Sequence, residues 1–360
     1  MGNRVLIALD AMGGDNAPKS VLRGATIAKR RYPDLEYLIF GDESRLGPLM
    51  KRMIRLRKAC TIIHTPDIVS PKEKAATALR NGRNSSMRKA IDAVRDEEAA
   101  GVVSAGNTGA LMAMSKFVLK TVPGIDRPAM ASFFPTFKGE TAMLDLGANI
   151  ECTARHLVQF AIMGEMFSRT VLGSLCPTVG LLNVGSEEMK GHDELRDAHA
   201  ILKESAIAYR GFIEGDDIAA GTVDVVVADG FSGNVALKSA EGTAKLINEF
   251  VRQTFKSSLL AAIGYLFARS ALMKLRSRVD PRRYNGATFL GLNGIVVKSH
   301  GGSDALGFAT AIGVARDMIS NGFIDKMAKE FKTPRALEQH DVDDIGEVVS
   351  IKETNTVSTT

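Results

Sequence analysis

The sequence contains no tryptophan, and aromatic residues make up only 6% of it. Proteins that bind single-stranded nucleic acid stack bases on aromatic side chains, so this composition disfavours nucleic acid as a partner. The only cysteines, Cys60, Cys152 and Cys176, are scattered and form no CxxC pair. That spacing disfavours a disulfide framework and a zinc site, and it suits reduced thiols.

Several sequence motifs for cofactors and metals are also missing. There is no GxGxxG fingerprint, no Gly-Lys pair for a Walker A loop and no HExxH motif. Gly230-Phe-Ser-Gly233 misses the GxSxG pattern of serine hydrolases by one position. We therefore expect neither a cofactor nor a metal.

The N-terminal residues read as a β-strand rather than a signal peptide. No apolar run approaches the roughly 18–20 residues that span a bilayer. These observations predict a cytoplasmic protein, which can still lie on a membrane surface.

Positive charge is concentrated in two stretches of a chain whose net charge is only +5. Residues 250–283 carry eight basic residues against one acid, and Arg45–Lys58 carries six basic residues and no acid. Patches of this kind suit an acidic partner such as anionic lipid, an acidic protein or nucleic acid. A solvated helix face explains Arg45–Lys58 equally well.

A short apolar, β-rich run is followed six times by a loop of small polar residues, and most of these loops lead into a helical pattern. The six loops are Asp10–Asn16, Ala105–Gly109, Asp145–Asn149, Asn183–Ser186, Asp229–Asn234 and Ser299–Ser303. This alternation predicts an α/β fold with helices on both faces of the sheet. We expect one catalytic domain over residues 1–335, with a helical hairpin at about 250–279, and a polar tail at 336–360.

The six loops predict a binding site for an anion. Ligands of open α/β sheets lie beyond the carboxyl ends of the strands, and glycine-rich turns at helix starts bind anions through free N–H groups. We expect all six loops to form one basin that holds phosphate, although turn chemistry explains each loop taken alone. The candidate phosphate-binding residues are Gly13, Gly14, Asp15, Ser104, Gly106, Asn107, Thr108, Asn149, Asn234, Gly301 and Ser303.

Charged side chains beside these loops are the candidates for catalysis. They are Lys190, Lys298, His300, Asp10 and Asp229. Lysine can hold a phosphate, histidine can transfer a proton, and an aspartate at a strand end can orient either group. The competing interpretations are exposed surface lysines and aspartates that cap turns.

Six longer stretches resemble the phosphate acyltransferase (acyl-ACP:phosphate transacylase) family of bacterial phospholipid synthesis. They are IALDAMGGDNAP at 7–18, SAGNTGA at 104–110, LDLGAN at 144–149, LLNVGSEEMKG at 181–191, DVVVADGFSGNVALKSAEG at 224–242 and GATFLGLNGIVVKSHGGSDALGF at 286–308. The resemblance runs from about residue 4 to about residue 325. It implies a three-layer α/β/α sandwich with a long mixed sheet, like the isopropylmalate dehydrogenases and phosphotransacetylases, and a homodimer.

The same resemblance implies the reaction and its partners. A fatty acyl group passes from acyl carrier protein to inorganic phosphate, and a membrane glycerol-3-phosphate acyltransferase uses the acyl phosphate product. We expect phosphate to attack the thioester directly, because no activated serine or cysteine arrangement is visible. The acidic carrier protein would dock on Arg45–Lys58 or on the basic cluster at 276–283.

The resemblance also implies peripheral association with the inner face of the cell membrane through the hairpin. The candidate contact residues are Leu259, Ile263, Leu266, Phe267, Arg269, Lys274 and Arg276, with Leu272 expected on the same broad helix face. A helix pair in a dimer interface is the alternative interpretation.

Three other functions remain open. A phosphotransacetylase for short acyl-CoA would not require the hydrophobic and basic hairpin. A decarboxylating dehydrogenase of the same fold would need a cluster of metal-binding aspartates, and none is apparent. A non-catalytic scaffold at the membrane surface would leave the six polar loops unexplained.

Overall fold

The computed structural model describes residues 4–278, 280 and 282–332, with the backbone alone at 275–278. The polar tail predicted at 336–360 lies outside the described residues. The strands are β1 Val5–Asp10, β2 Leu35–Gly41, β3 Cys60–His64, β4 Gly101–Ser104, β5 Ala129–Pro135, β6 Glu140–Leu144, β7 Val179–Leu182, β8 Tyr209–Ile213, β9 Val225–Val227, β10 Ala287–Leu290 and β11 Ile295–Lys298. The helices are α1 Lys19–Arg31, α2 Glu43–Met50, α3 Ile54–Arg57, α4 Ala75–Asn81, α5 Ser86–Arg95, α6 Thr108–Leu119, α7 Ala154–Val171, α8 Asp193–Lys203, α9 Gly215–Ala220, α10 Gly230–Lys256, α11 Leu259–Arg278, α12 Ala305–Ser320 and α13 Phe323–Lys332.

All eleven of these strands form one sheet in the order β3-β2-β1-β4-β11-β10-β5-β6-β9-β7-β8. Strands β1, β2, β3, β4 and β11 are parallel. Strand β10 is antiparallel to both β11 and β5, and β6 is antiparallel to β5. Strands β9, β7 and β8 run parallel to β6. The two halves of the sheet therefore run in opposite directions.

Because of this reversal, the carboxyl ends of the two groups of strands lie on opposite sides of the sheet. We call the edge where β1, β4 and β11 end the first edge. We call the edge where β6, β9 and β7 end the second edge.

Helices cover both faces of the sheet because side chains alternate along each strand. Ile7 and Leu9 of β1 pack in a core with α1, α7, α12 and α13, whereas Ala8 packs with α4, α5 and α6 on the other face. A smaller core under α9 and α10 covers the β6–β9 part of the sheet. The predicted three-layer α/β/α sandwich with a long mixed sheet is confirmed.

The predicted hairpin is formed by α10 and α11, with a turn at residues 257–258. Helix α10 is continuous from Gly230, and only Gly230 and Gly233 in its first turn are buried. Phe255 and Tyr265 hold the two helices together, with ring centroids 5.5 Å apart. None of the helices described is long and apolar enough to cross a membrane.

Candidate functional site

The six predicted loops do not share one edge. The loops after β1, β4 and β11 lie at the first edge, whereas those after β6, β7 and β9 lie at the second edge. The expectation of one basin is wrong in this respect because three successive antiparallel pairings, β11–β10, β10–β5 and β5–β6, leave the second half of the sheet running opposite to the first.

Asp10 is the centre of the first edge. Its Oδ1 accepts hydrogen bonds from the backbone N–H groups of Met12 and Gly13, both at 3.2 Å, and from Ser86 Oγ at 2.6 Å. Its Oδ2 accepts from Ser104 Oγ at 2.7 Å. Because the aspartate and both serines are buried, the carboxylate locks the ends of β1 and β4 against each other.

Two predicted glycines pack too tightly at the first edge for any side chain. A Cβ on Gly13 would lie 2.4 Å from Asp10 Oδ2 and 2.6 Å from the backbone nitrogen of Gly106. Gly14 has φ +99°, in the left-handed region that favours glycine, and a Cβ there would lie 2.9 Å from Ala105 Cβ. The loop after β1 can therefore lie directly against the loop after β4.

Lys298 ends β11 beside these turns and is only 7% exposed. Its Nζ donates to the carbonyl oxygen of Ala105 at 3.4 Å and to that of Ser299. Burial lowers the pKa of Lys298 to about 8, and the nearby charges of Asp10 and Asp15 oppose that shift. The first edge thus holds a partly desolvated cation between two carboxylates.

The loop after Lys298 is bound to the loop after β1. The Asp15 N–H donates to Gly301 O at 2.9 Å, and Asn16 Nδ2 lies 3.3 Å from the carbonyl oxygens of both Gly302 and Ser303. His300 is exposed, and its Nδ1 accepts from the Gly302 N–H at 3.1 Å. In the neutral ring Nε2 therefore carries the proton.

Asn285 is a site residue that sequence reasoning missed. Its Nδ2 donates to Ser299 Oγ at 2.8 Å, to Ser303 Oγ at 3.2 Å and to Gly307 O at 2.7 Å, and its Oδ1 accepts from the His300 N–H at 2.9 Å. One side chain thus fixes the whole turn from Ser299 to Gly307. The only sequence signal was its place just before the short apolar stretch that forms β10.

Asn107 holds the fold of the first edge rather than presenting its side chain as a donor. Its Nδ2 lies 3.3, 3.0 and 2.9 Å from the carbonyl oxygens of Ser70, Pro71 and Glu73, and its Oδ1 caps α6 by accepting from the Ala110 N–H. The side-chain amide hydrogens are thus engaged within the protein. Thr108 is exposed at the first turn of α6.

The second edge contains its own buried polar network. Asp145 accepts from the backbone N–H groups of Met130, Ala148 and Asn149, and from Asn149 Nδ2 at 2.9 Å. Burial raises the pKa of Asp145, although these hydrogen bonds oppose the rise. Asn149 Nδ2 also donates to Pro128 O, and Asn234 Nδ2 donates to Leu146 O at 3.0 Å. Both predicted phosphate-binding asparagines therefore use their amides to shape loops.

Asp229 and Lys190 also belong to the second edge. Asp229 caps α10 by accepting from the Ser232 N–H at 2.8 Å and from Ser232 Oγ at 2.9 Å. Lys190 is exposed on the loop after β7, and its carbonyl oxygen accepts from Asn183 Nδ2. The strand directions place both residues apart from the edge of Lys298 and His300. The prediction that Asp229 and Lys190 share one basin with Lys298 and His300 is wrong.

The hairpin exposes a set of large apolar side chains. Leu259 and Phe267 are each 86% exposed, and Ile263, Leu266 and Met273 are also exposed. Leu272 is only partly exposed. At 100° per residue it falls on the side of Tyr265, which faces α10, so its predicted place on the outward face is wrong. Arg269 and Lys274 are exposed on α11, and the side chain of Arg276 lies outside the described residues.

No group of three or more potential metal ligands occurs among the residues that the structure describes. The lysine, histidine and glycine turns of the first edge suit an anionic substrate.

Comparisons with known proteins agree with this chemistry. The family described as "Fatty acid synthesis protein" matches residues 5–326. The phosphate acyltransferase of Rhodospirillum centenum is 65% identical over 332 residues, covering 92% of this chain and 94% of its own. That of Paramagnetospirillum magneticum is 59% identical over 333 residues, covering 92% and 95%.

Solved structures share the fold at low sequence identity. A phosphotransacetylase from Streptococcus pyogenes is similar with a TM-score of 0.61 and 18% identity, covering 89% of this chain and 95% of its own. The EutD phosphotransacetylase from Staphylococcus aureus is similar with a TM-score of 0.54 and 18% identity, covering 86% and 94%. On the sequence matches, the chain belongs to the phosphate acyltransferase family of fatty acid synthesis proteins, and it is an acyltransferase.

Proposed function

We propose that the enzyme transfers a fatty acyl group from the thioester of acyl carrier protein to inorganic phosphate and releases acyl phosphate. The observation that carries this proposal is the buried Lys298 ammonium beneath the glycine turns of the first edge. A partly desolvated cation attracts a dianion more strongly than an exposed lysine does, because less solvent screens the interaction.

Helix α6 begins at the first edge and supports binding of phosphate there. It starts at Thr108 after the turn that follows β4, and its neutral cap Asn107 accepts from the Ala110 N–H. The amino end of a helix carries N–H groups without a partner inside the helix and partial positive charge. Helix α12 starts nearby at Ala305, but the Asp304 carboxylate accepts from the Leu306 and Gly307 N–H groups and occupies that helix end. Phosphate bound between Lys298 and the start of α6 would be positioned for attack, and positioning alone can lower the barrier by up to ~7–11 kcal/mol.

The proposed reaction balances without a cofactor. An oxygen of hydrogen phosphate attacks the thioester carbon, and backbone N–H groups stabilise the resulting oxyanion. The intermediate collapses, the C–S bond breaks, and the carrier leaves as a thiolate. The proton that phosphate gives up ends on that sulfur. We assign His300 to the charge that develops on the sulfur, because the residue is exposed at the site and its Nε2–H can donate a hydrogen bond to the departing thiolate.

Two of the three cysteines, Cys60 and Cys152, are poor candidates for the nucleophile of an acyl-enzyme intermediate, and the third, Cys176, is exposed. Burial raises the pKa of Cys60 to about 11 and that of Cys152 to about 12, so little thiolate forms at neutral pH. Ser86 and Ser104 are buried and donate to Asp10. These four side chains are therefore poorly suited to attack the thioester, which supports phosphate itself as the nucleophile.

The exposed apolar side chains of α11 support a further part of the proposal. We infer that the hairpin brings the enzyme, as a homodimer in the cytoplasm, to the inner face of the cell membrane. There a membrane glycerol-3-phosphate acyltransferase would consume the acyl phosphate. Arg269 on the same helix suits anionic headgroups.

The choice of acyl donor tests the proposal. Phosphate-dependent thiol release is measured with palmitoyl carrier protein and with acetyl-CoA at equal concentrations. Preference for the long-chain carrier thioester supports the proposed function. Preference for acetyl-CoA would make the protein a short-chain phosphotransacetylase, which the shared fold also accommodates.

A further inference from the structure

A basic cavity lies between α1 and α3, away from the proposed reaction site. Four of its lining residues are cationic, namely Lys29, Arg30, Arg55 and Lys58, and its volume is about 410 Å³. Thr26, Pro33 and Leu56 complete the lining, which contains no acidic residue. We call this feature the α1–α3 cavity.

The cavity lies at the sheet edge opposite Lys298. It is built from the last turn of α1 and from α3, which precede β2 and β3, and these strands run parallel to β1. Its lining residues are therefore at the amino ends of the strands whose carboxyl ends form the first edge. A ligand in the cavity would not occupy the proposed phosphate site.

The cations of the cavity have no acidic partner within the described part of the chain. Among the residues that the structure describes, none of the four lining cations forms an ion pair. The two acids that follow α1 pair elsewhere: Asp34 contacts Arg316 at 3.1 Å, and Glu36 contacts Arg4 at 2.9 Å. Four like charges around one concave surface repel each other and raise the local potential for an anion.

One of these cations is held in place by the backbone. Lys29 Nζ donates to the carbonyl oxygens of Pro33 at 2.8 Å and Leu35 at 2.6 Å. Arg55 and Lys58 are three residues apart in sequence, the spacing that places side chains on one side of a helical turn. Arginine in such a position can bind a phosphate through two parallel hydrogen bonds.

The size and floor of the cavity narrow the ligand class. Its volume falls in the range of roughly 300–1,000 Å³ typical of small-molecule sites and exceeds what a lone phosphate fills. Pro33 is exposed and, with Leu56, whose side chain is buried, forms the apolar floor of the lining. We propose that the α1–α3 cavity is a second anion site, which binds an organic phosphate through the four cations and its apolar part through that floor.

Charge reversal inside and outside the cavity tests the proposal. Isothermal titration calorimetry with inorganic pyrophosphate is performed on the full chain and on the double variant Arg55→Glu/Lys58→Glu. The matched control is Lys51→Glu/Arg52→Glu, which makes the same change of charge at exposed residues outside the lining. We expect the cavity variant to lose one site per chain or at least about tenfold in affinity, and the control to stay within about twofold.

Two outcomes would overturn the proposal. One is an equal loss in both double variants, which indicates diffuse electrostatics. The other is the absence of saturable pyrophosphate binding to the wild type. If in that case acyl carrier protein binds the cavity variant more weakly than the wild type, the cations are a docking surface for the carrier instead.

Competition identifies the source of the phosphate. Vesicles that contain phosphatidic acid are added to the wild type and to the cavity variant. If they displace pyrophosphate from the wild type, but not the pyrophosphate that the cavity variant still binds elsewhere, the ligand is a lipid headgroup. If glycerol 3-phosphate displaces it and vesicles do not, the ligand is a soluble metabolite. Both results support the proposal. Acyl transfer is measured separately. Because the cavity lies outside the proposed reaction site, a protein without acyl-transfer activity would still give an interpretable result in the binding test.

Discussion

Ser104 Oγ donates a 2.7 Å hydrogen bond to Asp10 Oδ2, and this contact joins the ends of two neighbouring parallel strands beneath the proposed phosphate site. The other oxygen of the same carboxylate accepts hydrogen bonds from the turn that follows β1 and from Ser86. Asp10 is thus a positioning residue for the glycine turns, and its charge also acts on Lys298.

Replacing Asp10 with asparagine separates these two effects. Asp10→Asn keeps the shape of the side chain but replaces one acceptor oxygen with an NH₂ group, which cannot accept a hydrogen bond from the surrounding donors. We therefore expect a loss of about 2–4 kcal/mol in the free energy of unfolding. Removal of the Asp10 charge should also lower the pKa of Lys298 further, because that charge opposes the effect of burial. Denaturant unfolding and a pH–rate profile check both effects. If the alkaline limb of the pH–rate profile is the same in Asp10→Asn and in the wild type, the Asp10 charge does not act on Lys298, and the assigned proximity of these residues is contradicted.

Lys298 makes stability depend on pH in a defined direction. Its pKa is about 8 in the folded chain against an ordinary value of 10.5, so between these values the unfolded chain binds the proton that the folded chain has lost. Between pH 8 and pH 10 Lys298 should therefore add about 2 kcal/mol to the free energy of unfolding of the wild type relative to that of Lys298→Met. The raised thiol pKa values of Cys60 and Cys152 lower the free energy of unfolding over the same range, but they do so equally in both proteins. Denaturant unfolding at both pH values measures it. Equal slopes for the two proteins would contradict the lowered pKa.

Gly13 tests the close packing of the turns. Gly13→Ala places a Cβ 2.4 Å from Asp10 Oδ2, so the loop must move, and we expect activity to fall at least about tenfold. Gly242→Ala is the matched control, since a Cβ there meets nothing within 4 Å and lies on a helix. The control should keep full activity and gain slightly in stability. Equal activity of the two variants would show that the packing of the turns does not matter for catalysis.

Asn285 is predicted to act on phosphate through the turn that it holds. Asn285→Ala should raise the KM for phosphate more than it lowers kcat, because the turn loses its four hydrogen bonds from this side chain while the chemical groups remain. Asn321→Ala removes a single exposed bond to Thr170 O and is the control. Steady-state kinetics with phosphate varied gives the comparison. A KM that is unchanged beside a lower thermal stability would assign Asn285 a purely structural role.

Local elements of the fold were readable from the sequence. The apolar runs predicted before the loops Ala105–Gly109 and Ser299–Ser303 form β4 and β11, because β-branched apolar runs bounded by glycine turns are strong strand signals. The turn residues Asp10, Ser104 and Lys298 were likewise found at one edge, since they end parallel strands.

The direction of the middle strands was not readable. Alternating side chains show which face of a strand is buried, but not which way it runs beside its neighbour. Because of the antiparallel β10 and the β5–β6 hairpin, Asp229, Asn149 and Asn234 lie at the second edge. The prediction had placed them in one basin with the residues of the first edge. Asn285 was missed because its partners are 14 to 22 residues further along the chain.

Direct attack by phosphate is the central claim, and one trapping experiment tests it. The enzyme is mixed with carrier protein bearing a labelled acyl group, with or without phosphate, and each sample is divided between hydroxylamine trapping and acid quenching. If phosphate attacks directly, acyl hydroxamate should exceed the amount formed from the carrier thioester alone only when phosphate is present, and the enzyme should carry no label when phosphate is omitted. Labelled acyl-enzyme that forms without phosphate, and that phosphate then discharges, would contradict the account.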